Sequence, residues 1–191
     1  MQNSIKLTVS KICHEIANYL SIIRFMRDEL ESDNSKITDL FVYLDLLEQT
    51  VKFFNNFYTS PNCNLSKLII EIFKSKKLLL IDKDDVFKNT SVELEIVISG
   101  LLYIVMRSFS ELDKVVLEVG LDQYSIIIDN PKRTFSSSFV NLINDETTCE
   151  NIFNIFEKHI IDKANEIGYK VGIDKTDSGC LRLNLKKFMA E

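Results

Sequence analysis

Glycine and proline are scarce: five Gly and two Pro in 191 residues, with no Trp at all. Such a chain has few turn formers and no Gly-rich loop to free backbone N–H groups for a phosphate. The four cysteines, Cys13, Cys63, Cys149 and Cys180, lie far apart and make no CxxC pair. With no signal peptide, they read as reduced thiols of a cytoplasmic protein. No apolar run approaches the roughly 20 residues that span a bilayer, so no membrane contact is expected. Net charge is −5 and there is no basic block, which argues against nucleic acid as a partner. Internal repeats and low-complexity tracts are missing too. What is present is 46% hydrophobic and 27% charged residues, the balance of an ordinary water-soluble protein. The length suits one domain with a sizeable core or two small ones.

The N-terminal stretch is the most informative. Val9, Cys13, Ile16, Leu20, Ile23 and Leu30 recur at three- and four-residue spacing, interrupted only at Arg27, and make an apolar seam on a helix from about Ile5 to Glu31. His14 directly follows a seam position, so it is turned about 100° from it. Ser10, Asn18 and Ser21 lie on its side, flanked by Lys11 and Ala17. These polar or short side chains leave room for another protein's backbone beside the imidazole. Glu15 is either a group acting on that imidazole or a solvated helix carboxylate. An exposed histidine on a helical bundle points to phosphoryl transfer.

Ser32–Ser35 is a polar break with good N-cap residues. A second helix, from about Lys36 to Tyr58, carries the cleaner stripe Ile37, Leu40, Leu44, Leu47, Val51, Phe54 and Tyr58. The short connection predicts an antiparallel hairpin over 1–60. Phe41, Phe53 and Phe57 fall outside the stripe. The surplus apolar surface predicts that two chains close a four-helix bundle as a homodimer. Pro61 and its Asn neighbours form a linker. Residues 64–191 then read as a helix (65–76), a strand (78–81), a helix opened by a capping box at Thr90–Glu93 (92–109), and a hairpin (115–119 and 125–128) turning at 121–123. After them come a short helix (135–143), a longer one (149–167) stopped by Gly168, and a final hairpin (169–173 and 180–185). The charges in 74–85 read as a solvated edge, and His159 as structural or solvated. The fold class is α+β: a helical hairpin followed by an α/β sandwich with helices on one face of a mixed sheet.

A histidine-bearing helical hairpin ahead of a small α/β sandwich resembles the dimerisation and ATP-binding modules of sensor histidine kinases. It is more similar to the ChpT-type histidine phosphotransferases, in which the second module no longer binds ATP. The local motif is Cys13-His14-Glu15 with Asn18 one turn on. Tyr19 stands where that family usually has proline. The resemblance implies that His14 accepts a phosphoryl group from a receiver-domain aspartate of a hybrid kinase and passes it to a response-regulator receiver. Glu15 and Asn18 would assist, and Lys11, Ala17, Asn18, Ser21 and Ile22 would meet the docked receiver. Mg²⁺ would sit on that receiver, leaving this chain without a metal or cofactor of its own.

Kinase modules of this fold place asparagines on the helix that here reads Ser99-Gly100-Leu101-Leu102-Tyr103-Ile104, with Gly100 and Ile104 at those positions. Their Asp-x-Gly-x-Gly turn corresponds to Asp129-Asn130-Pro131-Lys132-Arg133, which has no glycine. No ATP binding is therefore expected. Two other readings stand beside this one: a non-enzymatic dimeric adaptor of two-component signalling, and an active kinase with an aberrant nucleotide site.

Overall fold

The computed structural model describes residues 16–25, 37–59, 64–109, 112–129, 131, 134–144, 155–176 and 179–188. Within these ranges the chain is α+β, with helices packed on a five-stranded sheet. Residues 16–25 form α1. They are followed by α2 (Ile37–Thr59), α3 (Leu65–Ser75), β1 (Leu79–Asp82), α4 (Val86–Asn89), α5 (Val92–Ser108), β2 (Lys114–Gly120), β3 (Gln123–Ile128), α6 (Ser137–Ile143), α7 (Ile155–Glu166), β4 (Tyr169–Lys175) and β5 (Leu181–Lys187).

The strand order is β1-β2-β3-β5-β4; β1 and β2 are parallel and the other pairs antiparallel. The crossover from β1 to β2 carries α4 and α5, as a parallel pair requires. Period-two alternation sends Val115, Leu117, Ile126, Ile128, Leu181, Leu183, Leu185 and Val171 into the core with the helices. The opposite face carries Lys114, Glu118, Ser125, Asp129, Arg182, Asn184, Lys186, Asp174 and Lys170. A polar thread crosses it. Ser125 donates to Asn184 Oδ1 (2.8 Å), Asn184 Nδ2 donates to Asp174, and Lys186 pairs with the same carboxylate at 3.5 Å. Asn184 keeps only 1% of its surface in solvent, so these bonds satisfy a buried amide.

Helix α5 is buried on all sides from Ile96 to Met106, as an apolar helix at the centre of a layer must be. Its N-cap is Ser91, whose hydroxyl accepts from the Leu94 N–H at 3.3 Å, one residue later than the sequence spacing predicts. The 74–85 segment is not simply solvated. Asp82 accepts from the Val86 and Phe87 N–H groups (2.7 and 3.4 Å) and so organises the unpredicted α4. Lys83 pairs with Glu118, and Asp84 accepts from the Val119 N–H at 2.8 Å. Gly168 follows α7 at φ +81°, the left-handed conformation expected of a helix stop.

An aromatic cluster joins α2 to the sandwich. Phe53 stacks on Tyr103 of α5, with centroids 5.0 Å apart and planes at 10°. Phe54 and Phe57 meet Phe156 of α7 at 5.4 and 5.3 Å, and Phe57 and Tyr58 meet the His159 ring at 5.7 and 5.8 Å. The buried stripe of α2 is therefore Leu46, Thr50, Phe53 and Phe57, together with Phe54. This corrects the reading from spacing, which set Phe53 and Phe57 aside as surplus. Ile37, Leu44 and Val51, seven residues apart, are exposed, with Leu40 and Leu47 half-buried between them.

Candidate functional site

The sequence-derived site divides at residue 16. Lys11, His14 and Glu15 lie outside the described residues, while Ala17, Asn18, Ser21 and Ile22 fall on α1 and are all exposed. Ile16, Tyr19 and Ile23 are half-buried, and Tyr19 packs against the hydrophobic core. Leu20, placed on the seam by its spacing, is 42% exposed; Tyr19 takes the inward slot next to it. A tyrosine brings a larger apolar body to a half-buried position and keeps its hydroxyl end wet. The solvent arc is thus Ala17, Asn18, Ser21, Ile22 and Phe25, the last 64% exposed. It combines short, polar and apolar side chains. The Ser21 hydroxyl donates to the Ala17 carbonyl at 2.8 Å, so its proton is committed to its own helix; what Ser21 offers a visitor is small size.

Four further side chains lie on α2 or against its end. Thr50 is 1% exposed, and among the described residues neither its hydroxyl nor Gln49 Oε1 has a hydrogen-bond partner. Phe41 is 59% exposed. His159 bears on the end of α2; it is exposed on one side and packed against Phe57 and Tyr58 on the other. Desolvation by these rings, aided by the Lys163 charge, lowers its pKa below the usual 6.5 against smaller opposing effects of Asp162 and Glu166. Its place in the aromatic cluster makes it a structural residue, as one of the two sequence readings had it.

Of the positions that the kinase resemblance singles out, Gly100 and Ile104 lie inside the sandwich. A Cβ on Gly100 would lie 2.2 Å from Cδ1 of Ile160, so α7 presses directly on the α5 backbone there. Ile104 is buried as well. Asp129 follows the inward-facing Ile128 and so emerges on the open face of the sheet. Lys114 Nζ lies 2.7 Å from Oδ2, and the Cys180 thiol donates to Oδ1 at 3.5 Å. Lys114 holds the Asp129 carboxyl below the usual carboxylate range. Among the described residues no His, Cys, Asp and Glu side chains cluster to hold a metal, and no helix is long and apolar enough to cross a membrane.

No family model and no curated protein matches this sequence. Solved structures do. One described as a bacterial phosphotransferase superposes with a TM-score of 0.66 at 15% identity, covering 97% of each chain. The chain has the fold of that phosphotransferase. The histidine kinase AdeS of Acinetobacter baumannii superposes at 0.45, with 13% identity over 93% of this chain and 98% of that one. A blue-light-activated histidine kinase domain from Erythrobacter litoralis gives 0.42, at 12% identity over 98% and 94%.

Proposed function

We propose that this protein is a histidine phosphotransferase of a multistep phosphorelay, carrying the phosphoryl group on His14. One observation supports it above the others: the solvent arc of α1 is centred on Asn18, Ser21 and Phe25. At about 100° per residue, a helix continued toward the N terminus would carry position 14 on that same arc, opposite Ile16, Tyr19 and Ile23. The full-length likeness to a phosphotransferase fold agrees with this reading.

The chemistry follows from imidazole. With a pKa near 6.5, its ring is largely neutral and nucleophilic at neutral pH. A ring nitrogen of His14 attacks the phosphorus of a receiver's aspartyl phosphate. The N–P bond forms as the O–P bond breaks, and the aspartate leaves as a carboxylate. A second receiver's carboxylate then reverses the sequence. The transition state is loose, so positioning and charge neutralisation do most of the work, with Mg²⁺ held by the receiver. Glu15 accepts or holds the proton on the other ring nitrogen. Asn18 orients the phosphoryl group, while Lys11, Ala17, Ser21 and Ile22 meet the receiver's backbone.

In this reading the protein is a homodimer. The seam of Ile37, Leu44 and Val51, exposed, with Leu40 and Leu47, half-buried, has a/d spacing and is left partly uncovered by the described residues, and a second α2 covers it. The sandwich takes no nucleotide. Ile160 fills the space above Gly100, and Asp129 is paired with Lys114 on the other face.

The test mixes the protein with a phosphorylated receiver domain and looks for acid-labile, base-stable phosphate on it. Transfer that is abolished by His14→Ala is the expected result. Label arising from ATP alone would mean an autokinase. No label in either case would leave the dimeric adaptor, which the exposed α2 seam also fits.

A further inference from the structure

We propose that the outer edge of β4 accepts an extended, acidic segment of another protein as a sixth strand. This goes beyond phosphotransfer and does not depend on it. β4 ends the sheet and pairs only with β5 among the described residues, so one row of its N–H and C=O groups has no ladder partner. Such an edge is a template for an added strand. A recess of about 500 Å³ runs beside it, lined by Asn144, Lys170, Gly172, Asp174, Lys186 and Lys187 among others.

Charge gives the chemistry of the occupant. Lys170 on β4 lies directly opposite Lys186 on β5, and Lys187 is next to it. Asp174 is the only carboxylate in the lining, and it is already engaged by Asn184 and Lys186. Three lysines against one carboxylate leave the described lining net positive even with Lys186 paired to Asp174, which favours an acidic strand. They also disfavour a second copy of this edge, which would bring the same three lysines.

Gly172 supplies the second observation. Its φ is not in the left-handed region, and a Cβ there would meet nothing within 4 Å. Among the described residues neither backbone conformation nor packing calls for glycine in the middle of this strand, where it weakens the ladder. What its missing side chain does provide is clearance for a neighbour on the open face. An added strand with a bulky residue beside Gly172 and an acid beside Lys170, in line with Lys186 one strand further in, uses that clearance, as aromatic residues cover strand glycines elsewhere.

The experiment uses the full chain and the fluorescein-labelled peptide Thr-Glu-Thr-Tyr-Thr-Thr-Thr, with its reverse Thr-Thr-Thr-Tyr-Thr-Glu-Thr for the other strand direction. Saturable anisotropy is expected, with slowed amide hydrogen exchange across 169–175. K170E/K186E should weaken binding about tenfold or more, and K158E on α7 should leave it unchanged. Gly172→Leu should weaken binding similarly while the melting temperature is held or raised, which separates loss of docking from loss of fold. No saturation by about 1 mM peptide would overturn the proposal. So would binding insensitive to K170E/K186E, or binding without protection of β4. Protection that grows with protein concentration alone would assign the edge to a second copy instead.

Discussion

Substituting Gly100 by alanine puts the closure of the α5–α7 groove to the test. The new Cβ would lie 2.2 Å from Cδ1 and 2.9 Å from Cγ1 of Ile160. Carbon atoms pack best at about 3.5–4.0 Å, so Cδ1 must retreat by about 1.3 Å (3.5 minus 2.2). Ile160 is fully buried and has no empty side to move into. Overpacking of this kind costs about 1–3 kcal/mol, offset by about 1 kcal/mol of helix propensity gained when Gly becomes Ala. The sharper measurement is a double-mutant cycle with Ile160→Val, which removes Cδ1 and alone costs about 0.5–1.5 kcal/mol. G100A/I160V should be more stable than the sum of the single effects by about 1 kcal/mol, or roughly 2–4 °C for a chain of this size. Urea unfolding followed by circular dichroism reads all four corners. Effects that add within about 0.5 kcal/mol would refute the reasoning, because they would mean a groove with room in it. The same closure predicts that ATP with Mg²⁺ leaves the melting temperature of the wild-type protein unchanged; a rise of several degrees would reopen the kinase reading.

Phe53→Ala removes a ring that is fully buried against Tyr103 and should cost about 3–5 kcal/mol by chemical denaturation. Leu44→Asp with Val51→Asp places two carboxylates on the exposed seam of α2, so sedimentation should show a monomer whose circular dichroism is unchanged. For His159 the sign follows from a pKa lowered in the folded state: the unfolded chain binds the proton more readily. Its contribution is whole above about pH 6.5 and is lost as pH falls through that value toward the folded one. His159→Gln should flatten the stability profile below about pH 6.5 relative to wild type, measured with His14→Ala in both backgrounds to remove the other imidazole. Phosphotransfer should survive Ser21→Ala, whose hydroxyl only bonds its own helix, but fall about tenfold or more with Ser21→Leu, which crowds the arc; phosphohistidine formation from a phosphorylated receiver is the assay.

The sheet and the central helix were legible because their residues have a single use. The β-branched run of β2 and β3 and the apolar length of α5 fit no solvated element. The phase of α2 was not legible. It carries two apolar stripes, and the one with unbroken spacing is the one left partly in water. Thr50 interrupts the other in sequence, yet Tyr103, Phe156 and His159 draw it inward from more than forty residues away. Helix α4 was hidden for a related reason. Its four residues are held by the Asp82 carboxylate at the end of β1, and no local periodicity records that bond. At the candidate site the solvent arc of Ala17, Asn18, Ser21 and Ile22 followed from helical spacing. The exchange of Leu20 for Tyr19 did not, since ring size against a core surface decides it. Lys11, His14 and Glu15 rest on the sequence alone.

The hydrogen-bonded chain from Ser125 through Asn184 to Asp174 and Lys186 bears on how the sheet assembles. Sliding β5 by one position would thrust Arg182, Asn184 and Lys186 beneath the helices and turn Leu181, Leu183 and Leu185 out to water. The leucines alone penalise that slip. The amide and carboxylate add a second, directional penalty, because the thread closes only when the β4–β5 hairpin arrives in line with β3, 59 residues away at Ser125 and Asn184. Strands β4 and β5 thereby carry their own proofreading of alignment against β3.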